Sequence, residues 1–253
     1  MNAFPTISGL FGAAAGSYDT GADVQRDVAA ALAAKIGALP LPAKPRVLEV
    51  GCGTGLLTRA LAQHLTTAAW TVTDIAAPMV ATCERTLAGE LPGARFLVMD
   101  GAAPVLAPGF DLIASSLALQ WFEDPARALH RLSALLTPRG QLAFATLGPG
   151  TFEEWQAACA FADVAAPVRR FLSAADFKQA LPPGFRIRTE RTVIRRTYAN
   201  GWDFLGRLRE IGAHRAVPEA QPVSAGALRR VLRATNGPLT ITYDVVYGFI
   251  SRV

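Results

Sequence analysis

RVLEVGCGTGLLTRAL (Arg46–Leu61) decides how the chain is read. A short apolar run, Arg46–Val50, leads directly into Gly51, Gly53 and Gly55, and a leucine-rich helical pattern follows. Strand, glycine turn and helix in that order form a strand-to-helix junction of a parallel α/β sheet. Glycine permits a tight turn and lets a ligand approach the backbone. The helix behind it offers unpaired N–H groups at its start. A simple tight turn would use the same residues. Two nucleotide-binding readings fail on residue identity. A dinucleotide loop counted from Gly51 needs glycine where Leu56 stands, and a P-loop needs a lysine that does not follow.

Outward from this loop, apolar runs alternate with helical patterns. WTVTD (Trp70–Asp74), RFLVM (Arg95–Met99), FDLIASS (Phe110–Ser116) and QLAFATL (Gln141–Leu147) read as strands. Gly55–His64, Pro78–Leu87 and Pro125–Leu136 read as the helices between them. Such alternation predicts βαβ units and a parallel sheet covered on both faces. Asp23–Leu39 places Val24, Val28, Leu32, Ile36 and Leu39 at helical spacing ahead of the first strand. Beyond Leu147 the pattern changes. FEEWQAACAFADV, SAADFKQAL and a stretch around Trp202–Ile211 are helical, while Phe185–Tyr198 and the closing LTITYDVVYGFISRV are β-rich. The division expected is one domain over 1–253. An N-terminal arm and helix occupy 1–42 and a core 43–150. Helical lid segments span 151–182 and 199–236, and the last strands 183–198 and 237–253.

The totals narrow the function classes. With 253 residues, 51% hydrophobic and 18% charged, the chain can bury a sizeable core. It contains no apolar run long enough to span a membrane, and its first residues lack a basic region and cleavage site of the signal-peptide kind. Cys52, Cys83 and Cys159 are odd in number and widely spaced, which favours a reducing cytoplasm over a disulfide framework. With His64, His130 and His214 scattered, no metal site is expected. The net charge of +5 fits an acidic partner, a membrane surface, nucleic acid, or merely a solvated basic face, as at Arg186–Arg196. No aromatic-basic pattern of the RNA-binding kind accompanies it.

E-V-G-C-G-T-G (Glu49–Gly55) resembles the first motif of class I S-adenosylmethionine (SAM)-dependent methyltransferases. The resemblance implies a Rossmann-like, mostly parallel seven-stranded sheet with its last strand antiparallel, helices on both faces and a helical lid over the carboxyl edge. It makes SAM the cofactor. On this resemblance Glu49, Gly51, Gly53 and Gly55 are expected to form the loop, and Asp74 to accept both ribose hydroxyls. Ile75 is expected to cover the adenine, and Asp100 with Gly101 to meet the adenine amine and ring. Ser116 ends the fourth strand beside the methyl donor. No NPPY-type amide motif follows that strand, which favours a small-molecule acceptor over a nucleic-acid base.

A narrower resemblance runs nearly end to end. FGAAAGSYDTGADVQRDVA, SSLALQWFEDPARAL, RRFLSAADF, FLGRLREIGAHRA and PLTITYDVVYGFISR are similar to segments of the malonyl-[acyl-carrier protein] O-methyltransferases of biotin synthesis. This implies methylation of the free carboxylate of a malonyl thioester, carried by an acidic acyl-carrier protein or by coenzyme A. Tyr18, Gln120 and Trp121 become candidates to close over the donor and line the acceptor pocket. Arg170, Arg209, His214 and Tyr243 become candidates to bind the malonyl carboxylate or thioester. Arg169, Arg170, Arg207 and Arg209 form the first expected carrier-docking patch. Ser116 stands where this family more often has Asn, and His214 where Asn or Thr is commoner. Other readings are an aconitate-type carboxylate methyltransferase, an assembly-group enzyme acting on a protein arginine, and a SAM-binding regulator without turnover.

Overall fold

The computed structural model describes residues 6–213 and 223–253. Seven strands form one sheet: β1 (Arg46–Val50), β2 (Ala69–Asp74), β3 (Arg95–Val98), β4 (Phe110–Ser116), β5 (Leu136–Leu147), β6 (Phe185–Tyr198) and β7 (Leu239–Arg252). Their order is β3-β2-β1-β4-β5-β7-β6. Pairing is parallel from β3 to β5, and β7 runs antiparallel to both β5 and β6. The last strand therefore inserts between its two predecessors, and it runs antiparallel, as the sequence resemblance implies. Its central residues are buried without a break, whereas β6 has only half-buried and exposed positions, as an edge strand should.

Ten helices among the described residues cover the sheet. They are α1 (Ile7–Ala14), α2 (Tyr18–Gly21), α3 (Asp23–Gly37), α4 (Leu56–Ala62), α5 (Ala77–Leu87), α6 (Pro125–Ala134), α7 (Glu153–Phe161), α8 (Ala174–Gln179), α9 (Gly201–Glu210) and α10 (Ala225–Ala234). One apolar core unites α3, α4, α5, α7, α9 and α10 with one sheet face, through residues such as Leu32, Leu61, Cys83, Trp155, Phe204 and Val231. The opposite face packs against α6 and α8, through Leu129, Leu132 and Phe177.

Three boundaries differ from the sequence pattern. The N-terminal arm folds into α1 and α2. The helix expected to reach Leu136 stops at Ala134, and β5 starts at Leu136, with a register irregularity opposite Phe110–Leu112 beside Pro138. In the first expected lid segment, α7 lines the sheet's carboxyl edge but α8 does not. Phe177 of α8 is buried 4.9 Å from the Phe144 ring, which fastens that helix to the opposite face beside β6.

The basic cluster at Arg186–Arg196 belongs to the edge strand, and several of its cations are paired within the chain. Arg188 and Lys35 hold Glu190, Arg191 holds the buried Asp244, and Arg196 holds Asp27. Charges on an edge strand also oppose pairing with another sheet.

Candidate active site

In an open α/β sheet, ligands bind beyond the strand carboxyl ends where the order reverses, here between β1 and β4. A cavity of about 1120 Å³ opens there. Residues following four successive strands line it: Gly51 and Gly53 after β1, Asp74 and Ile75 at β2, Asp100 and Gly101 after β3, Ser116 and Leu117 at β4.

The loop is built in layers. Gly51 and Cys52 donate backbone N–H groups to the Thr73 carbonyl at 2.8 and 2.9 Å, folding the loop across the end of β2. All three glycines have positive φ: 75°, 53° and 96°. A Cβ on Gly51 would lie 2.4 Å from that of Ala118, and one on Gly55 would lie 2.7 Å from Leu87. A Cβ on Gly53 would meet no atom within 4 Å, because it would project into open space. Gly53 is thus the glycine bared for a ligand, and Gly55 serves the packing of the loop on α5.

Asp74 fixes that bared surface. Its Oδ2 accepts from the Gly53 N–H and its Oδ1 from the Ala76 N–H, both at 2.9 Å. Each oxygen keeps acceptor capacity for a ligand hydroxyl. Burial raises the Asp74 pKa above the usual carboxylate value, and these backbone donors oppose the rise. Tyr18 lines the same space. Its phenol is held well above its ordinary pKa by burial, then by the charges of Asp74 and Asp19, so it stays a protonated donor. Its position is set next door: Thr54 donates to Asp19 at 2.6 Å. Ile75, Met79 and Met99 add apolar wall. Two strand-end carboxylates, a bared glycine and an apolar slot suit the hydroxyls, amine and ring of an adenosine. The residues present therefore fit SAM.

The other half of the cavity comes from the late helices. Trp155 and Cys159 of α7, Leu205 and Arg209 of α9, and Leu228 and Val231 of α10 line it. Phe11 of α1 meets the Trp121 ring edge-on at 5.1 Å, and Arg169 lies 5.6 Å over that ring. Ser8 donates to the Ile75 carbonyl at 3.1 Å, so α1 roofs the donor half.

Of the residues expected from sequence, Gly51, Gly53, Asp74, Ile75, Asp100, Gly101 and Ser116 reach the cavity, as do Tyr18, Trp121 and Arg209. Five do not, each for a structural reason. Alternation along β1 turns Glu49 beneath the loop, fully buried, with no hydrogen-bond partner for either carboxyl oxygen among the described residues. Burial drives its pKa well above the carboxylate range. Gly55 packs on α5, as above. Gln120 turns back to the sheet, its Oε1 accepting from Thr146 at 3.0 Å. Arg170 has an 85% exposed side chain, 3.9 Å from Asp176. Tyr243 is buried in the core, sharing a 2.5 Å hydrogen bond with Tyr198. His214 lies outside the described residues.

Sequence reasoning passed over Phe11, Arg127 and Arg131, which also line the cavity. The arginines sit one turn apart on α6, and Arg131 donates to the Ala102 carbonyl at 2.7 Å. Their i, i+4 spacing on an amphipathic helix was the available signal.

Strand order, bared glycine loop and strand-end acids define a class I SAM-dependent methyltransferase, and residues 47–140 match the methyltransferase domain family. The YcgJ protein of Bacillus subtilis shares the fold, with a TM-score of 0.62 at 16% identity, over 88% of this chain and 98% of that one. A malonyl-[acyl-carrier protein] O-methyltransferase of Magnetococcus marinus is 44% identical over 242 residues, covering 93% of this chain and 88% of that protein. The biotin biosynthesis bifunctional protein BioCD of Bordetella avium is 44% identical over 96% of this chain and 51% of its own length. The chain belongs to the malonyl-[acyl-carrier protein] O-methyltransferase family.

Proposed function

We propose that this enzyme methylates the free carboxylate of a malonyl group held as a thioester on an acyl-carrier protein, giving the methyl ester that begins pimeloyl formation for biotin. The observation that carries this reading is the likeness across 93% of the chain. It extends beyond the shared methyltransferase domain into α7, α9 and α10, which build the acceptor half of the cavity.

Bound at the loop, SAM supplies a methyl group on a sulfonium centre, which an ionised carboxylate can accept with no proton to remove. The chain's task is then to position and to exclude water. Gly53, Asp74, Ile75, Asp100 and Gly101 hold the adenosine. Tyr18, Phe11 and Trp121 close the space above it. Arg209 is the cation that α9 contributes to the lining, and it anchors the acceptor carboxylate by a charge-assisted bond. Apolar groups of α7 and α10 shield the reacting centre. Esterification removes the malonyl charge, so chain-extending enzymes that reject a free carboxylate can use the product.

The carrier protein, rather than coenzyme A, is the physiological thioester in this reading, and neither nucleic acid nor membrane takes part. The site of action is the cytoplasm, in keeping with three buried, unpaired cysteines. No helix among the described residues is long and apolar enough to cross a membrane. Mass spectrometry of malonyl-carrier protein incubated with SAM and enzyme tests the proposal. The expected product gains one methyl group as a hydrolysable ester on the malonyl moiety. An amine-linked methyl, or methylation of aconitate in preference to the malonyl thioester, would refute it.

A further inference from the structure

We infer that the outer face of α10 is the seat of the acidic acyl-carrier protein, an assignment that rests on the functional reading above. α10, AGALRRVLRA, contains three arginines and no acid. Val231 and Leu232 turn inward and are buried, while Arg229, Arg230 and Arg233 turn outward and are exposed. None of the three forms an ion pair among the described residues. Several other cations, those expected from sequence to matter among them, are committed elsewhere. Lys35, Arg188, Arg191 and Arg196 are paired around β6. In the patch expected from sequence, Arg207 is held by Asp203 and Glu210 and Arg170 faces Asp176. Arg169 covers Trp121 and Arg209 faces the cavity. Of these two helices, α10 rather than α9 presents a cluster of exposed arginines with no ion pair among the described residues.

Two further observations give this face a direction. Arg230 donates to the Ala162 carbonyl at 3.1 Å, which brings α10 beside the end of α7, where Phe161 is 86% exposed. A large apolar side chain beside a cationic face suits a protein surface that pairs acids with an apolar contact. The inner face of the same helix contributes Leu228 and Val231 to the cavity wall. A partner seated outside is thus separated from the acceptor half by one helix, about 10–12 Å across, a span an extended thioester arm can round. Nucleic acid and anionic lipid are drawn to arginines as well, but neither has use for a face that backs the acceptor half.

The test compares the intact enzyme with Arg229→Glu/Arg233→Glu and with the milder Arg229→Gln/Arg233→Gln. Arg230 is left in place because it ties α10 to α7. Fluorescence titration should show affinity for malonyl-free holo-carrier protein falling about tenfold or more on charge reversal, and less on neutralisation. KM for malonyl-carrier protein should rise in step. Turnover of a malonyl thioester of short pantetheine, and SAM affinity, should stay within about twofold. Retained carrier affinity in both variants overturns the inference, as does equal loss with the short thioester. So does arginine-dependent binding of duplex DNA or phosphatidylglycerol vesicles with carrier binding intact. A parent enzyme that methylates neither malonyl substrate, yet binds the carrier through these arginines, would overturn the functional reading and leave the surface standing.

Discussion

At Gly53 the donor site depends on a missing side chain. The residue has positive φ, faces empty space and gives its N–H to Asp74. Gly53→Val puts a branched side chain where the ligand meets the backbone, in a conformation valine resists. Asp74→Ala removes the acceptor and frees the loop. Calorimetry should show SAM affinity reduced at least tenfold in each, about 1.4 kcal/mol or more. Unchanged affinity in two folded variants would move the site elsewhere. Glu49 behaves differently, because its carboxyl is buried with no paired cation among the described residues and burial raises its native pKa, with the neighbouring Thr58 opposing the rise. An acid whose pKa rises on folding contributes most below its unfolded value, about 4.3, and costs stability as pH climbs from there toward the native value. Glu49→Gln removes that cost. Thermal melts from pH 5 to 8 should therefore show the variant gaining on the parent as pH rises. Parallel curves would mean that Glu49 is not buried as an unpaired acid.

The N-terminal arm joins the donor loop to the acceptor side. Asp19 of α2 accepts from Thr54 in the loop, Ser17 donates to the Glu210 carbonyl of α9, and Arg207 of α9 donates to the Thr20 carbonyl. One short helix thus links the two halves of the cavity and carries Tyr18 between them. Asp19→Ala should weaken SAM binding several-fold while shifting the melting temperature less, since Asp19 itself is exposed. An unaltered affinity would show that the arm does not govern the site. In the sheet, β7 pairs with β5 so that Gly248 lies opposite Phe144, and a Cβ there would come within 2.3 Å of the ring. Gly248→Ala should cost about 1–3 kcal/mol by overpacking, measurable as a lower midpoint in urea with an unchanged slope.

Across the whole molecule, the chemistry proposed needs no general base. The described histidines, His64 and His130, do not line the cavity. Turnover of malonyl thioester at saturation should therefore show no essential group titrating near the histidine value of about 6.5, and His214→Ala should keep substantial activity. A strict requirement for unprotonated His214 would contradict the carboxylate mechanism. Long-range charge bears on the encounter instead. With three exposed arginines on α10 that form no ion pair among the described residues, carrier-substrate turnover at low concentration should fall with added salt, over a screening length of about 8 Å at physiological ionic strength. The short thioester, nearly blind to that field, should respond weakly. Equal salt dependence would remove the electrostatic encounter.

Local pattern in the sequence determined the alternation of strands and helices, the glycine loop and the acids at the ends of β2 and β3. Each of these is a matter of period, turn chemistry or spacing within a few residues. Phe185–Tyr198 could likewise be read as a strand with its bounds intact, because its β-branched residues and charges need no distant partner to be recognised. Which side chains meet across the fold was settled by tertiary structure. Tyr243 and Arg170 had the right chemistry for a substrate site, but burial against Tyr198 commits one and exposure beside Asp176 commits the other. Glu49 reads as a site residue by its place before the loop, yet the alternation of β1 turns it beneath. The arginines of α10 gained their meaning only when Arg170 and Arg207, two of the cations expected to dock a carrier, were seen to be paired within the chain. Pairs such as Arg191 with Asp244 and Arg196 with Asp27 join residues far apart in sequence, and no local pattern encodes them.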